Sequence, residues 1–541
     1  MTFDDATVTD AQIRGRDVSW LIDRWCERRP DHPLLVWEPR DGHTRTWTYA
    51  GFREATRRVA AGLAARGVGA GDRVLVHADN CPEMVIAWYA CARLGAVAVT
   101  TNTRSAGPEL AYFAAHTRAV GAVTQPRHAA LVAEHAPGLA WIVVTDDDSG
   151  EPPSPEAAAA ASAHESWSAL DADPAGLDER RRPPLDPVGI MFTSGTTSRP
   201  KAVVHTHANA VWASRVGSRT IGMDGDSVYL IHLPFFHVNA QSWSMWCTLG
   251  VGGTVVLQPR FSSSRFWEVV QRHGVTHTSL IPFVFKALAG QPVPDGHPLR
   301  VGVFGLEMPA LEEWLGIRVV PAYGMTETVI HAIATGRWER GPDRAMGWPT
   351  PGYEAMVVDP DTGRPVDDGE VGELWLRGRR GVQLFLEYLD APEANAAAFT
   401  PDGWFRTGDR VRVGADGAWF YSERDKDLLK VGGENVSARE VEDVVREVPG
   451  ITEVAVVGRS HEMLDQVPVA FVIVGPDAPA PDELARRVIE LCRQRLADFK
   501  VPRAVHVVEE FPRATLDKVA KNRLRKLADE LAAAEGGDGD A

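Results

Sequence analysis

Between Met191 and Val203 the chain reads MFTSGTTSRPKAV, small and hydroxylated residues closing on one lysine. Thr193, Ser194, Thr196 and Thr197 supply hydroxyls, Gly195 exposes backbone N–H groups, and Lys201 supplies an ammonium. Those are the donors a loop needs to wrap a polyphosphate. The Walker arrangement is excluded, because no Gly-Lys-Thr follows the first glycine at the spacing that opens a helix.

The loop resembles the phosphate loop of the adenylate-forming superfamily, which includes acyl-CoA synthetases, luciferases and the adenylation domains of peptide synthetases. Other segments follow in that family's order. PAYGMTET (321–328) is similar to a segment in which Tyr323 would cover adenine, Thr326 would meet the α-phosphate and Glu327 would hold Mg²⁺, with Gly324 and Met325 between them. A flat ring, a neutral donor and a hard oxygen ligand suit those tasks. Gly305, Leu306 and Glu307 stand where the family lines the adenine site. In WFRTGDR the resemblance gives Asp409 both ribose hydroxyls, a task for a carboxylate with two acceptor oxygens, and it makes Arg424 a charged donor to the same sugar.

The resemblance also implies motion. Lys426 would be the hinge of a small domain that swings between an adenylating and a thioester-forming pose. In the second pose Lys430, Gly432, Gly433 and Glu434 would face the active site, the glycines letting the pantetheine arm pass close to backbone. FPRATLDKVAKNRLRK resembles the segment that presents the adenylating lysine, giving Lys518, or Lys521 in another register. ATP or an acyl-adenylate, CoA and Mg²⁺ are the implied cofactors.

Three positions depart from the family pattern. Ser198 and Ala202 replace loop glycines, and Leu306 stands where a small residue would line the adenine site. Where such a glycine has φ > 0, a Cβ costs on the order of 1–2 kcal/mol and intrudes on phosphate space. Thioester formation needs no triphosphate contact, so the sequence permits an enzyme that performs the second half-reaction and lacks the first.

LPFFHVNAQSWSMW (233–246) is similar to the segment walling the acyl pocket, with His237 as its catalytic-site histidine. Phe236, Asn239, Trp243, Val329, His331 and Gly347 are the expected pocket lining, with Trp246 and Phe283 nearby. Peptide-synthetase domains place an aspartate here for an α-ammonium, and its absence disfavours an amino acid. A bulky, rigid, apolar carboxylic acid fits instead. Strand alternation would put His205 and His207 in VVHTHAN on one face, but without a third ligand a supporting role suits them better than metal ligation.

These residues need a scaffold, and the chain is long enough for one. Its 541 residues are 44% hydrophobic, with a formal charge of -16 that disfavours nucleic acid and anionic membrane as partners. Five scattered cysteines without a CxxC pair favour reduced thiols in a cytoplasmic protein. No signal peptide or membrane span is read from the sequence.

Helical periodicity over 52–63 and 84–94 alternates with the apolar run RVLVH (73–77), so the fold class is layered α/β. A strand over 188–192 delivers the phosphate loop. Residues 146–187, rich in Asp, Pro and Ala with an Arg-rich end, read as a surface excursion or mobile linker. A turn-rich β stretch covers 353–421, and a second βα alternation begins near 426. The domains are therefore expected at 1–425, holding the acid and nucleotide sites, and 426–541, a mobile α/β lid. An acyl-CoA ligase is the leading expectation. A thioesterification-only enzyme fed by a partner ligase, and an enzyme loading a carrier protein, are the alternatives; a non-catalytic scaffold is disfavoured by the intact chemistry, and a homodimer is compatible with any of them.

Overall fold

The computed structural model describes residues 13–146, 150–193, 199–360, 362–424, 428–476, 478–512 and 519–534. Two twisted sheets form the bulk of the large domain. In the first, strands Pro187–Thr193, Val97–Thr100, Arg73–His77, Gly121–Thr124 and Ile142–Val144 run parallel, in that spatial order. In the second, Arg318–Tyr323, Val301–Phe304, His277–Ser279, Val228–Ile231, Thr254–Leu257 and Pro33–Trp37 do the same.

Parallel strands covered on both faces carry continuous apolar runs rather than alternation, and VAVT (97–100) is buried at every position. Helix Pro82–Leu94 is likewise buried at every residue. Its sequence therefore carries no polar stripe. With helix Tyr49–Ala65 it fills the core between the sheets, against Val74 and Val76 of one and Tyr229 and Ile231 of the other. The predicted helices and the RVLVH strand stand where the periodicity put them.

Residues 150–187 run mostly along the surface, but their Arg-rich end is fixed rather than loose. Arg181 pairs with Asp17 at 3.3 Å and Asp23 at 2.8 Å, and the Arg182 N–H donates to Asp17 at 2.9 Å. Composition signalled solvent; the buried carboxylates on helix Val18–Arg28 and its cap supply the partners that composition does not reveal.

Strands Glu354–Val358, Gly372–Arg377, Trp404–Val413 and Trp419–Arg424 form an antiparallel sheet, matching the turn-rich stretch. Beyond it, strands Ile451–His461 and Asp465–Val474 form the long antiparallel pair of a smaller sheet. Alternation along them splits the small domain's core into two layers. Val454, Val456, Ala470 and Val472 face Val436, Phe499 and helices Ala438–Val445 and Pro481–Arg495. Ala455, Val457, Val469 and Phe471 face Phe511, Leu524 and Ala528.

Candidate active site

Ligands of open parallel sheets bind outside the carboxyl ends of the strands, and the candidate residues gather at that edge. Val228–Ile231 leads to Phe236 and His237, His277–Ser279 to Ile281 and Phe283, Val301–Phe304 to Gly305, Leu306 and Glu307, and Arg318–Tyr323 to Gly324, Met325, Thr326 and Glu327. Phe304 and Pro321 are register partners, so the two expected nucleotide segments leave adjacent strands side by side.

In the first sheet, Pro187–Thr193 turns back into Lys201–Thr206 as an antiparallel hairpin with Thr193 opposite Lys201. Lys201 thus opens a strand, not a helix. Ser194, Gly195, Thr196, Thr197 and Ser198 lie outside the described residues. Ala202 does not take up phosphate space: it sits on the strand opposite Phe192, 1% exposed, packed with Ile190 and Val204.

Lys201 and Glu327 converge on a residue the sequence reading missed. The Tyr388 hydroxyl donates to Glu327 Oε1 at 2.9 Å, and Lys201 Nζ lies 4.7 Å from the Tyr388 ring centroid. Burial holds the Lys201 ammonium below its ordinary range, opposed by the Glu327 charge. Tyr388 belongs to strand Glu387–Tyr388, paired to the hairpin through Val203; nothing in LFLEYLD marks it. His205, also on the hairpin, shares a 2.7 Å hydrogen bond through Nε2 with the Thr326 carbonyl, and burial pushes it down to about 4. His207 does not share that face. The strand ends at Thr206, which caps helix His207–Thr220, and His207 Nδ1 accepts from the Val18 N–H at 3.3 Å.

The Tyr323 hydroxyl donates to Asp409 Oδ2 at 2.6 Å, both residues being buried. Asp409 and Arg424 are register partners across their strand pair. Leu306 lines a cavity of about 470 Å³ with Arg344, Arg412, Phe420 and Tyr421. Lys430 Nζ lies 5.2 Å from the Tyr421 ring centroid. Glu307 is committed elsewhere: its carboxylate is buried in a paired contact with Arg318, at 2.6 and 3.0 Å.

Phe236, Trp243 and Val329 fall in one apolar cluster, and the His331 ring stands edge-on to Trp243 at 4.6 Å. Asn239 and Trp243 lie on the π-helical segment Asn239–Trp246. Burial pushes His331 down to about 3, so the ring is neutral. Phe283 packs in a different cluster, with Phe261. Gly347 approaches the Ala334 backbone at φ 108°, where a side chain has no room. Val329 is strained: with φ 66° and ψ −54° it centres a γ-turn closed by the Ile330 N–H donating to the Thr328 carbonyl at 2.6 Å. A β-branched residue in that region is an outlier, costing roughly 1–3 kcal/mol.

The small domain docks on this edge. Glu434 Oε1 accepts from Asn102 Nδ2 at 3.1 Å and lies 3.2 Å from His237 Nε2. Burial alone would push His237 down, but the Glu434 charge and hydrogen bond raise it overall; burial pushes Glu434 up, and His237 brings it below its ordinary value. Gly433, at φ 90°, brings its backbone against Ile281. Lys426 and Lys518 lie outside the described residues. Val519, next to Lys518, packs with Phe511 and Leu524, whereas Val436, two residues past Glu434, packs in the layer across the sheet. Lys521 pairs with Glu442 of the same domain at 2.7 Å.

Comparison with known proteins identifies the family and the fold. A crotonobetaine/carnitine–CoA ligase of Salmonella paratyphi C is 32% identical over 530 residues, covering 95% of this chain and 99% of the relative. An o-succinylbenzoate CoA synthetase double mutant from Bacillus subtilis, solved with the product analogue OSB-NCoA, superposes with a TM-score of 0.79 at 25% identity, covering 94% of this chain and 98% of that one. ATP-bound MatB from Rhodopseudomonas palustris superposes with a TM-score of 0.66 at 26% identity, covering 95% and 99%. The AMP-binding enzyme model matches residues 22–389 and the AMP-binding enzyme C-terminal domain model residues 440–518. The hairpin lysine beside Glu327, the tyrosine on Asp409 and the docked small domain therefore belong to a chain of the AMP-binding enzyme family.

Proposed function

We propose that this chain is an acyl-CoA ligase that joins a bulky, largely apolar carboxylic acid to CoA through an acyl-adenylate, with the small domain, beginning at Lys426, acting as its lid. The observation that carries the reading is the docking of Glu434 against His237, which sets the Gly432–Gly433 loop beside Ile281, at the carboxyl edge of the same sheet whose strand Arg318–Tyr323 leads to Thr326. A thin thiol arm reaching an adenylate at that edge needs glycine backbone beside it.

Glu327 fits Mg²⁺. It is a buried carboxylate held by Tyr388 beside Lys201, and Mg²⁺ takes one or two carboxylates with substrate phosphates completing its shell. When bound, the ion neutralises phosphate charge. Lys201 with the loop hydroxyls holds the triphosphate, Thr326 donates to the α-phosphate, Tyr323 orients Asp409 toward the ribose, and Lys518 faces the oxygen between carboxylate and phosphorus. Phe236, Trp243 and Val329 enclose the acid, and His237 with Glu434 lies where the thiol arrives.

The two faces of the lid sheet make the sequence of steps mechanical. Val519, the residue after Lys518, packs in the layer of Phe511 and Leu524, and Val436, two residues past Glu434, packs in the opposite one, so we infer that serving one pocket in turn requires the lid to rotate. A panel of bulky acids with ATP and CoA tests the reading: acyl-CoA and AMP in equal amounts support it, and no acyl-CoA from any acid, or from preformed acyl-adenylate, refutes it.

A thioesterification-only enzyme is the second reading, favoured by Leu306 on the wall of the cavity beside Tyr421. It predicts acyl-CoA from preformed adenylate and no pyrophosphate from acid plus ATP.

A further inference from the structure

Lys500 closes the short 3₁₀ turn Asp498–Lys500 of the small domain and is 5% exposed. Its ammonium donates to two carboxylates from different domains: Glu109 Oε1 at 2.5 Å and Glu440 Oε1 at 2.9 Å. Glu440 lies on helix Ala438–Val445 of the small domain itself. Glu109 lies on helix Gly107–Thr117 of the large domain, where its other oxygen accepts the Ala106 N–H at 2.8 Å. Beside them Arg104 reaches Asp498 at 2.7 Å and lies 4.7 Å from the Phe499 ring centroid.

The three groups differ in what the docked pose gives them. Glu440 and Lys500 travel together, so their contact survives any rotation of the small domain. The Glu109–Lys500 contact exists only when the domains are placed as here. A buried ammonium between two carboxylates interacts more strongly than the same groups in water, because the medium screens less. Lys500 carries a raised value overall, burial being outweighed by the two carboxylates.

We propose that Glu109 is a positioning residue for thioester formation: by holding Lys500 it keeps the lid in the pose that sets Glu434 against His237, favouring the second half-reaction over the first. The proposal rests on the ligase reading. It assigns no chemistry to Glu109, which touches neither Glu434 nor His237 among the contacts described. Rotation toward a pose serving Lys518 must break this contact, so its strength sets how the chain divides time between the two steps.

The test is Glu109→Gln. Glutamine serves at the third position of a capping box as glutamate does, so the helix start is preserved while the charge is removed. The readout is the rate of acyl-CoA formation from preformed acyl-adenylate and CoA, divided by the rate of acid-dependent pyrophosphate exchange. The expected result is a fall of about tenfold or more in that ratio, the magnitude of exchanging a charge-assisted for a neutral hydrogen bond at a buried site, with pyrophosphate exchange unchanged or faster. A ratio within twofold of the parent overturns the proposal. Glu440→Gln touches the same lysine without crossing the domain boundary and should change the ratio less than threefold; an equal fall in both variants overturns it too. If the parent lacks either half-reaction, hydrogen exchange without substrates decides: faster exchange in residues 107–110 and 498–501 of Glu109→Gln supports the latch, and unchanged exchange overturns it. Should the parent make no acyl-CoA at all, the ligase reading fails separately from the latch.

Discussion

Two glycines of the expected nucleotide segments make opposite demands on space, and substituting each with alanine tests the site's geometry. A Cβ on Gly324 would lie 2.8 Å from the Ile330 carbonyl oxygen and 2.8 Å from the Trp243 ring. Ordinary contact begins near 3.4 Å, so about 0.6 Å must be found on two sides at once. Neither neighbour yields easily: Ile330 follows the γ-turn at Val329, and Trp243 is packed edge-on to His331. The segment carrying Tyr323, Thr326 and Glu327 must therefore move. Overpacking of this kind costs about 1–3 kcal/mol, and displacement of reacting groups by roughly 1 Å costs about a hundredfold in rate. Gly305 has nothing within 4 Å of its Cβ position. We expect Gly324→Ala to lower kcat for acid-dependent pyrophosphate exchange by about 30- to 100-fold and to lower the urea midpoint, while Gly305→Ala stays within about threefold. Full activity in Gly324→Ala, or equal losses in both, would refute the placement of the Tyr323–Glu327 segment.

Tyr388→Phe removes the hydroxyl that holds Glu327, and a hydrogen bond to a charged group is worth about 1.5–3 kcal/mol; roughly tenfold or more should be lost from kcat/KM for ATP, with a higher Mg²⁺ requirement in titration. Tyr323→Phe frees Asp409 from its 2.6 Å partner and should raise the KM for ATP more than it lowers kcat. Ala202→Gly should not increase adenylation, because the methyl it removes is core; a loss of about 0.5–1 kcal/mol in urea denaturation is expected from glycine in a strand, and a gain in pyrophosphate exchange would refute that placement. The His237–Glu434 contact sets a pH window for docking. The raised histidine contributes fully below its ordinary value of 6.5 and is lost as pH rises through the raised value; the lowered glutamate contributes fully above its ordinary 4.5 and is lost as pH falls through the lowered value. Docking is thus firmest between about pH 4.5 and 6.5, modestly so because the His237 side chain is 40% exposed. Hydrogen exchange at residues 432–435 should accelerate outside that window, and Glu434→Gln should flatten the profile.

Local pattern made the scaffold legible. Continuous apolar runs such as RVLVH mark strands covered on both faces, and turn residues mark the antiparallel sheet, because each signal spans only neighbouring positions. The candidate site was legible where its residues sit in contiguous motifs at strand ends, as PAYGMTET does. Tyr388 was not, since it reaches Glu327 only through pairing with the hairpin. Nor was the commitment of Glu307 to Arg318, a buried contact made across helix Pro309–Leu315. The strained turn at Val329 follows from tertiary packing against its ordinary backbone preference. The latch was out of reach for the same reason: 391 residues separate Glu109 from Lys500, and neither carries a local signature.

The most direct test of the ligase account is a chase experiment. Protein mixed with Mg²⁺, ATP and a bulky acid, without CoA, is quenched and examined by mass spectrometry, and a second aliquot receives CoA before quenching. The account predicts acyl-adenylate in the first aliquot and its replacement by acyl-CoA and AMP in the second. Adenylate that persists unchanged after CoA is added, with no acyl-CoA formed from it, would contradict the account.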